Sequence, residues 1–148
     1  MLVLVLNSGS SSIKYQLLDM PGGKPLARGI AERVGTEAAV LTHEVPGEET
    51  LTLARPLPDH AAAIGLLLDT LTTAGPLSSL AEVDAVGHRF VHGGENYSES
   101  CLVTDEVLAT LTATSDLAPL HSPPNLAGIA ACRQSLPGRP QVCVFDNG

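Results

Sequence analysis

The stretch Leu2-Val-Leu-Val-Leu-Asn-Ser-Gly-Ser-Ser-Ser-Ile-Lys14 decides the fold of this chain. Its first part, residues 2–6, is a continuous apolar run, which predicts a β-strand buried on both faces and ending at Asn7. From Ile13 onward apolar and polar side chains alternate, which predicts a second strand that returns antiparallel. The chain is therefore expected to begin with two neighbouring strands joined by a Ser- and Gly-rich turn.

The remainder of the chain alternates between strand and helix patterns. Strands are predicted at residues 26–34, 40–45, 50–54, 84–91 and 141–145, and helices at residues 105–114 and 124–135. A further helix is predicted between Asp59, as its N-cap, and Gly75, because four apolar residues there have the spacing of one helix face. This order predicts one α/β domain with a mixed sheet flanked by helices, which resembles the ribonuclease H-like domain of actin and sugar kinases.

Composition limits the classes of partner. The chain has 148 residues, and its 8 Lys and Arg against 16 Asp and Glu give a net charge of −8. Such a charge repels nucleic-acid backbones and anionic lipid surfaces. No stretch approaches the ~20 apolar residues that span a membrane. We therefore expect neither nucleic acid nor a membrane as a partner.

Cysteine usage and the chain start bear on the compartment. Cys101, Cys132 and Cys143 are odd in number and widely spaced, which favours neither a disulfide framework nor a zinc site. The apolar start is short and lacks the basic leader of a secretory signal. These features indicate reduced thiols and a cytoplasmic protein.

The turn after the first strand is the first candidate site. Gly9 lets the backbone approach an anion closely, so that the amides of the turn can form a nest for phosphate. Asn7 offers a neutral oxygen to Mg²⁺, which prefers few protein ligands. Further phosphate ligands would be the side chains of Ser10, Ser11, Ser12 and Lys14. The alternative is an ordinary hairpin turn, which Ser and Gly favour for backbone reasons.

Arg89, inside the strand predicted at residues 84–91, is the second candidate. A planar guanidinium binds a carboxylate or a phosphoryl group through two parallel hydrogen bonds. The alternative is an arginine on an edge strand that points into water. His88 and His92 share one face of the same strand, where packing is favoured over a metal pair.

The third candidate region lies near the end of the chain. His121 stands in a proline-stiffened loop before a helix N-terminus, a position that favours anions. Its alternative role is a hydrogen bond within the loop. Asp146 follows the last predicted strand, at the edge where ligands of open α/β sheets bind, although an Asp there is also a common helix cap.

Taken together and in order, these segments resemble the acetate kinase family over nearly the whole chain. They are Leu6-Asn-Ser-Gly-Ser-Ser-Ser-Ile-Lys14, Gly87-His-Arg-Phe-Val-His-Gly-Gly94, Leu117-Ala-Pro-Leu-His-Ser-Pro-Pro-Asn125 and Val144-Phe-Asp146. The resemblance implies reversible phosphoryl transfer from ATP to acetate, giving acetyl phosphate and ADP, with Mg²⁺ as cofactor and a homodimer as the intact enzyme.

The resemblance also implies roles for single residues. Asn7 would hold Mg²⁺, and Arg89 and His121 would bind the acyl substrate. Arg89 would also be catalytic, together with Asp146 as the catalytic acid. Facing the nucleotide phosphates would be Ser10, Ser11, Ser12 and Lys14. Because acetate is already ionised at neutral pH, its attack on phosphorus needs no general base. We therefore expect Asp146 to help place Mg²⁺ or its waters.

Two departures from the family pattern affect these expectations. Ser122 stands where the family usually has Asn, and beyond Asp146 this chain has Asn147 and Gly148 where the family continues with Thr-Ala-Phe-His and a second domain. We expect residues 1–148 to be the N-terminal acetate kinase domain, inactive alone, with an apolar face for the second domain. The alternatives are a propionate or butyrate kinase of the same superfamily, or a non-catalytic truncated fragment that retains ligand binding.

Overall fold

The computed structural model describes residues 1–20, 22–90, 101–102, 122–136, 138 and 140–145. Within them, eight strands form one sheet: β1 (Leu2–Ser8), β2 (Ser12–Asp19), β3 (Lys24–Glu32), β4 (Val40–Glu44), β5 (Leu51–Ala54), β6 (Ala85–Phe90), β7 (Cys101–Leu102) and β8 (Gln141–Phe145). The strand order is β5-β4-β3-β2-β1-β6-β8-β7. Because β1, β6 and β8 are parallel and the other neighbours antiparallel, the predicted mixed sheet is confirmed.

β1 and β2 form the antiparallel pair that the first motif predicts, and β1 continues through Ser8. Leu4 and Leu6 of β1 are buried, whereas Val3 and Val5 are only half-buried. The prediction that β1 is buried on both faces is therefore confirmed for one face only. The other face of the sheet is open among the described residues.

Two helices cover the buried face: α1 (His60–Thr73) and α2 (Ser122–Ser135). They pack against each other and against the central strands. The Asp59 carboxylate accepts a hydrogen bond from the Ala62 N–H at 2.8 Å, so the predicted N-cap of α1 is confirmed. α2 begins two residues before its predicted start, since proline fits the first turn of a helix, where no N–H is needed.

The remaining differences concern short elements. A 3₁₀ helix, Leu80–Glu82, connects α1 to β6 and carries a capping box of Ser79 and Glu82. Neither this helix nor the two-residue strand β7 was predicted, because such short pieces have no periodicity to detect. The helix predicted at residues 105–114 lies outside the described residues.

Tyr15, Gly29 and His43 lie side by side on β2, β3 and β4, under the helices. Because Gly29 has no side chain, the Tyr15 hydroxyl reaches across β3 and donates to His43 Nδ1 at 2.6 Å. His43 Nε2 donates in turn to the Gly75 carbonyl oxygen at 3.0 Å. Burial raises the pKa of Tyr15, so its hydroxyl remains a donor. This chain of hydrogen bonds ties β2 and β4, across β3, to Gly75, two residues beyond the end of α1.

Gly29→Ala is expected to destabilise the fold by about 1–3 kcal/mol, because an added Cβ would overlap the Tyr15 hydroxyl and the Thr42 carbonyl oxygen. The matched control is Gly65→Ala on the exposed face of α1, where nothing lies within 4 Å of an added Cβ. That control should stabilise by about 0.5–1 kcal/mol. Urea unfolding of both variants measures the difference, and equal midpoints would contradict it.

Candidate functional site

The parallel strands bring three candidate side chains together at one edge of the sheet. β1, β6 and β8 run in the same direction, so their carboxyl ends meet there. Asn7 pairs with Lys14 across the β1–β2 hairpin, and Arg89 follows His88, which pairs with Leu6 on the other side of β1. Asn7, Lys14 and Arg89 are all exposed on the open face, where they line one groove.

The groove has a volume of about 470 Å³ and runs across the open face from β6 to β4. Farther along it, Arg28 Nε donates to Glu44 Oε2 at 2.7 Å, so these two charges largely neutralise each other. Lys14 on β2 and Arg89 on β6 place two positive charges near the β6 end of the groove, against one further carboxylate, that of Glu32 on β3. In a chain of net charge −8, this end of the groove is suited to an anion.

The turn that joins β1 to β2 presents backbone amides beside this positive charge. The Gly9 N–H donates to the Ser12 carbonyl oxygen at 2.7 Å, which closes the turn tightly. The N–H groups of Ser10 and Ser11 have no acceptor among the described residues, and both residues are exposed. The turn is therefore a hairpin turn, as the alternative interpretation predicts. Two of its amides can also bind phosphate oxygens.

His60, the first residue of α1, makes a hydrogen bond to this turn. The sequence did not predict that His60 takes part in the site. Its Nε2 donates to the Gly9 carbonyl oxygen at 2.7 Å, and the side chain is partly buried. The only sequence signal is its place after the Asp59 cap, which says nothing about where α1 lies. The contact depends on the packing of α1 under the hairpin, which the sequence does not specify locally.

If the turn binds nucleotide phosphates, as the resemblance implies, His60→Ala should weaken ATP binding by about 2- to 10-fold, because one hydrogen bond to the turn is lost. His60→Gln keeps an amide donor and should retain part of the affinity. Isothermal titration of both variants with ATP measures the change. Equal affinity of the alanine variant and the unaltered chain would show that the turn needs no support from His60.

His88 is packed rather than available to a ligand. It is fully buried under the helices, and its Nε2 lies 2.6 Å from Gln141 Oε1. Burial lowers the pKa of His88 to about 4, although the Gln141 hydrogen bond opposes this shift. No group of three His, Cys, Asp or Glu side chains in the described part of the chain could hold a metal ion. The favoured packing role of His88 is thus confirmed, whereas His92 lies outside the described residues.

Comparison with known proteins decides the family. The model of the acetokinase family matches residues 2–148. The chain belongs to the acetokinase family.

Curated relatives support this assignment over the same range. Acetate kinase of Thermotoga maritima is 55% identical over 148 residues, which cover 99% of this chain and 36% of that protein. Acetate kinase of Thermoanaerobacter pseudethanolicus is 51% identical over 148 residues, or 99% of this chain and 37% of that protein. The chain thus spans little more than a third of the length of these acetokinase relatives.

Solved structures of the family share the fold. Porphyromonas gingivalis acetate kinase matches with a TM-score of 0.94 and 46% identity, covering 98% of this chain and 37% of that one. A propionate kinase from Francisella tularensis matches with a TM-score of 0.89 and 34% identity, covering 98% and 36%. The predicted α/β fold of the actin and sugar-kinase type is therefore confirmed.

The structure tests where the predicted acetokinase residues lie. At the edge of the sheet where the carboxyl ends of the parallel strands meet lie Asn7, Ser10, Ser11, Ser12, Lys14 and Arg89. β6 lies between β1 and β8, so the edge-strand part of the alternative for Arg89 is wrong, whereas the side chain is exposed, as that alternative predicts. His121 and Asp146 lie outside the described residues, and so does the loop before α2. Their roles stay predictions.

The sequence predicts an apolar face that a second domain would cover. Met1, at 65% exposure, is the one large apolar side chain exposed in the described ranges. The groove on the open face carries charged and amide side chains beside Val5, Tyr15 and Ile30. The described residues do not test which face a second domain would cover, so the apolar face stays a prediction.

Two further findings concern the expected compartment and partners. Burial raises the pKa of the Cys132 thiol to about 12, so this cysteine is an unreactive core residue. Neither described helix combines the length and the apolar character needed to cross a membrane.

Proposed function

We propose that this chain forms the N-terminal part of the active site of a carboxylate kinase, which transfers the γ-phosphoryl group of ATP to acetate and forms acetyl phosphate and ADP reversibly. The observation that carries the proposal is the grouping of Asn7, Lys14 and Arg89 beside unpaired turn amides in an acetokinase-family chain. Cations and amides at one edge are what two anionic substrates require.

Within this proposal, the two substrates occupy neighbouring parts of the edge. Arg89 binds the carboxylate of acetate with two parallel hydrogen bonds. Lys14 and the amides of Ser10 and Ser11 bind phosphate oxygens of the nucleotide, with the Ser12 hydroxyl nearby. Acetate attacks as an anion, so these residues act by alignment and by neutralising phosphoryl oxygens. His121 and Asp146 are proposed to complete the acyl site and to order the metal or its waters.

Mg²⁺ fits this donor set at one position. Asn7 offers an exposed carboxamide oxygen at the end of β1. Mg²⁺ keeps several waters and binds phosphates, so it needs few protein ligands. The Asn7 oxygen is neutral, so it adds no charge of its own between the two cations. When bound, the metal neutralises charge on the phosphates. Asn7 is proposed to orient the metal rather than to supply charge.

Asn7→Ala is expected to raise the Mg²⁺ concentration needed for half-maximal activity by on the order of 10-fold. This is the lower end of the loss in metal affinity that follows removal of a group supporting a metal site. Gln16→Ala is the matched control, because Gln16 is an exposed carboxamide in the same groove on β2. The measurement is a Mg²⁺ titration of acetyl phosphate formation by the complete enzyme. Superimposable titrations of the unaltered and Asn7→Ala enzymes would remove Asn7 from the metal site.

We further propose that residues 1–148 are the first of two domains and that the second supplies the adenosine pocket and further catalytic groups. The coverage of 36% and 37% of the curated relatives supports this proposal. A homodimer in the cytoplasm, with no nucleic acid or membrane partner, is proposed for the complete enzyme. Size-exclusion chromatography with light scattering tests the dimer.

Propionate is the second candidate acyl substrate, because a propionate kinase shares this fold at 34% identity. A longer acyl tail needs a larger apolar pocket, whereas the carboxylate contact to Arg89 is unchanged. One extra methylene typically changes kcat/KM by about 10- to 200-fold. Rates of the complete enzyme on acetate, propionate and butyrate, measured by trapping the acyl phosphate with hydroxylamine, therefore separate the two. A higher kcat/KM on propionate would overturn the choice of acetate.

A further inference from the structure

Two buried polar atoms behind the candidate site have no partner in the described part of the chain. They are Ser8 Oγ and His88 Nδ1, whose side chains are 2% and 0% exposed. Both lie under the helices, on the opposite face from Asn7 and Arg89. Since a buried polar atom without a hydrogen bond is costly, each unpaired atom requires an explanation.

The two atoms are chemically matched as donor and acceptor. Gln141 Oε1 can only accept a hydrogen bond, so the hydrogen on the His88 ring lies on Nε2, 2.6 Å from that oxygen. Burial keeps the ring neutral at pH 7, because it lowers the pKa of His88 to about 4. Nδ1 therefore presents a lone pair, and the Ser8 hydroxyl is a donor that can serve it.

Gly128 of α2 lies close to both atoms. A Cβ added at Gly128 would lie 3.1 Å from Ser8 Oγ and 3.9 Å from His88 Nδ1. The third neighbour of that point is the Ile64 Cδ1 methyl group, at 3.6 Å. A water bridging the two atoms would accept from the hydroxyl and donate to the ring, and buried waters occur where polar groups would otherwise stay unpaired.

The position of this pair in the sheet connects it to the site. Ser8 follows Asn7 at the end of β1, and His88 precedes Arg89 on β6. Gln141 is the first residue of β8. A link from Ser8 through His88 to Gln141 therefore spans all three parallel strands whose ends carry the candidate residues.

We propose that Ser8, His88 and Gln141 form a buried hydrogen-bond relay, closed by one water beside Gly128, that fixes the spacing of Asn7 and Arg89 on the opposite face. Ser8, His88 and Gln141 are positioning residues, since none of them faces the groove. Their effect on catalysis rests on the proposed function, whereas the relay itself does not.

The first test is ¹⁵N NMR of the histidine rings in residues 1–148 at pH 7. The relay places the hydrogen of His88 on Nε2 and a hydrogen bond on Nδ1. Ser8→Ala removes the donor, and Gly128→Ala places a methyl group 3.1 Å from Ser8 Oγ, where it would displace the proposed water. Both should therefore shift the Nδ1 signal in the same direction. Thr70→Val is the control, because the buried Thr70 hydroxyl bonds Leu66 within α1. A hydrogen on Nδ1, or a Nδ1 signal that neither variant moves, overturns the relay.

The second test is amide hydrogen exchange in the same proteins. Loss of the relay should speed exchange along the β1–β6 ladder at least several-fold in Ser8→Ala and Gly128→Ala, but not in Thr70→Val. Unchanged ladder exchange with a shifted Nδ1 signal would show that the relay exists without positioning the strands, which overturns the proposal.

A complete enzyme adds a functional readout. Ser8→Ala should lower kcat by up to about 100-fold, as misplaced groups do, with a much smaller change in the KM for ATP. An unaltered kcat overturns the positioning role. An unaltered enzyme that makes no acetyl phosphate counts against the proposed function, and the NMR and exchange results then decide the relay alone.

Discussion

Arg89→Ala is expected to lower kcat/KM for acetate by about 10- to 150-fold in a complete enzyme, because a charge-assisted bidentate pair contributes about 1.5–3 kcal/mol. The KM for ATP should change little, since Lys14 and the turn amides remain. Arg89→Lys should rescue little of the loss, because an ammonium is a point charge and cannot make two parallel hydrogen bonds. Initial rates at varied acetate and saturating ATP measure the effect.

Arg28→Ala is the matched control for this prediction. Arg28 lines the same groove, but it lies on β3 and its guanidinium is paired with Glu44. Its loss should leave kcat/KM for acetate within about 3-fold, the scale of an exposed ion pair. If Arg89→Ala behaves like Arg28→Ala, Arg89 is a structural residue and the acyl site lies elsewhere.

Residues 1–148 alone are expected to form no acetyl phosphate above the uncatalysed background. Family relatives are nearly three times as long, and the proposed second domain would supply further catalytic groups; loss of one transition-state arginine, for comparison, can cost about 10³- to 10⁵-fold in rate. Without that domain the chain also loses the alignment of two substrates, which can contribute about 7–11 kcal/mol. These losses overlap, but either is sufficient.

The measurement is a hydroxylamine trap for acetyl phosphate with purified residues 1–148, ATP, Mg²⁺ and acetate. Folding is checked in the same sample by circular dichroism and cooperative urea unfolding. Turnover that disappears in an Asp146→Asn variant would contradict the prediction and make this chain an enzyme by itself. ATP binding without turnover would instead agree with a part of the site that binds but does not catalyse.

Most of the fold could be predicted because its elements have strong local signals. The alternation from Ile13 to Leu17 and the Asp59 cap each predict an element that the structure contains. The burial of β1 could not be predicted from its apolar run, since which face is covered depends on where the helices pack. β7 is too short for any local pattern to reveal it.

The candidate site was predictable to the extent that its residues stand in sequence motifs. Asn7, Lys14 and Arg89 were predicted from motifs, and parallel pairing of β1 with β6 places them at one edge. His60 and Ser8 were missed, because their contacts join residues more than fifty positions apart. Such contacts arise from helix packing under the sheet, for which one sequence has no local signal.

The most direct test of the account is a chimera in which residues 1–148 replace the matched N-terminal part of Thermotoga maritima acetate kinase, which is 55% identical to this chain. The account predicts that the purified chimera forms acetyl phosphate from ATP, Mg²⁺ and acetate, and that Arg89→Ala in it lowers kcat/KM for acetate as stated above. Cooperative unfolding and ATP binding by the chimera establish that it is folded. A folded, ATP-binding chimera that forms no acetyl phosphate would contradict the proposal that this chain forms part of an acetate kinase active site.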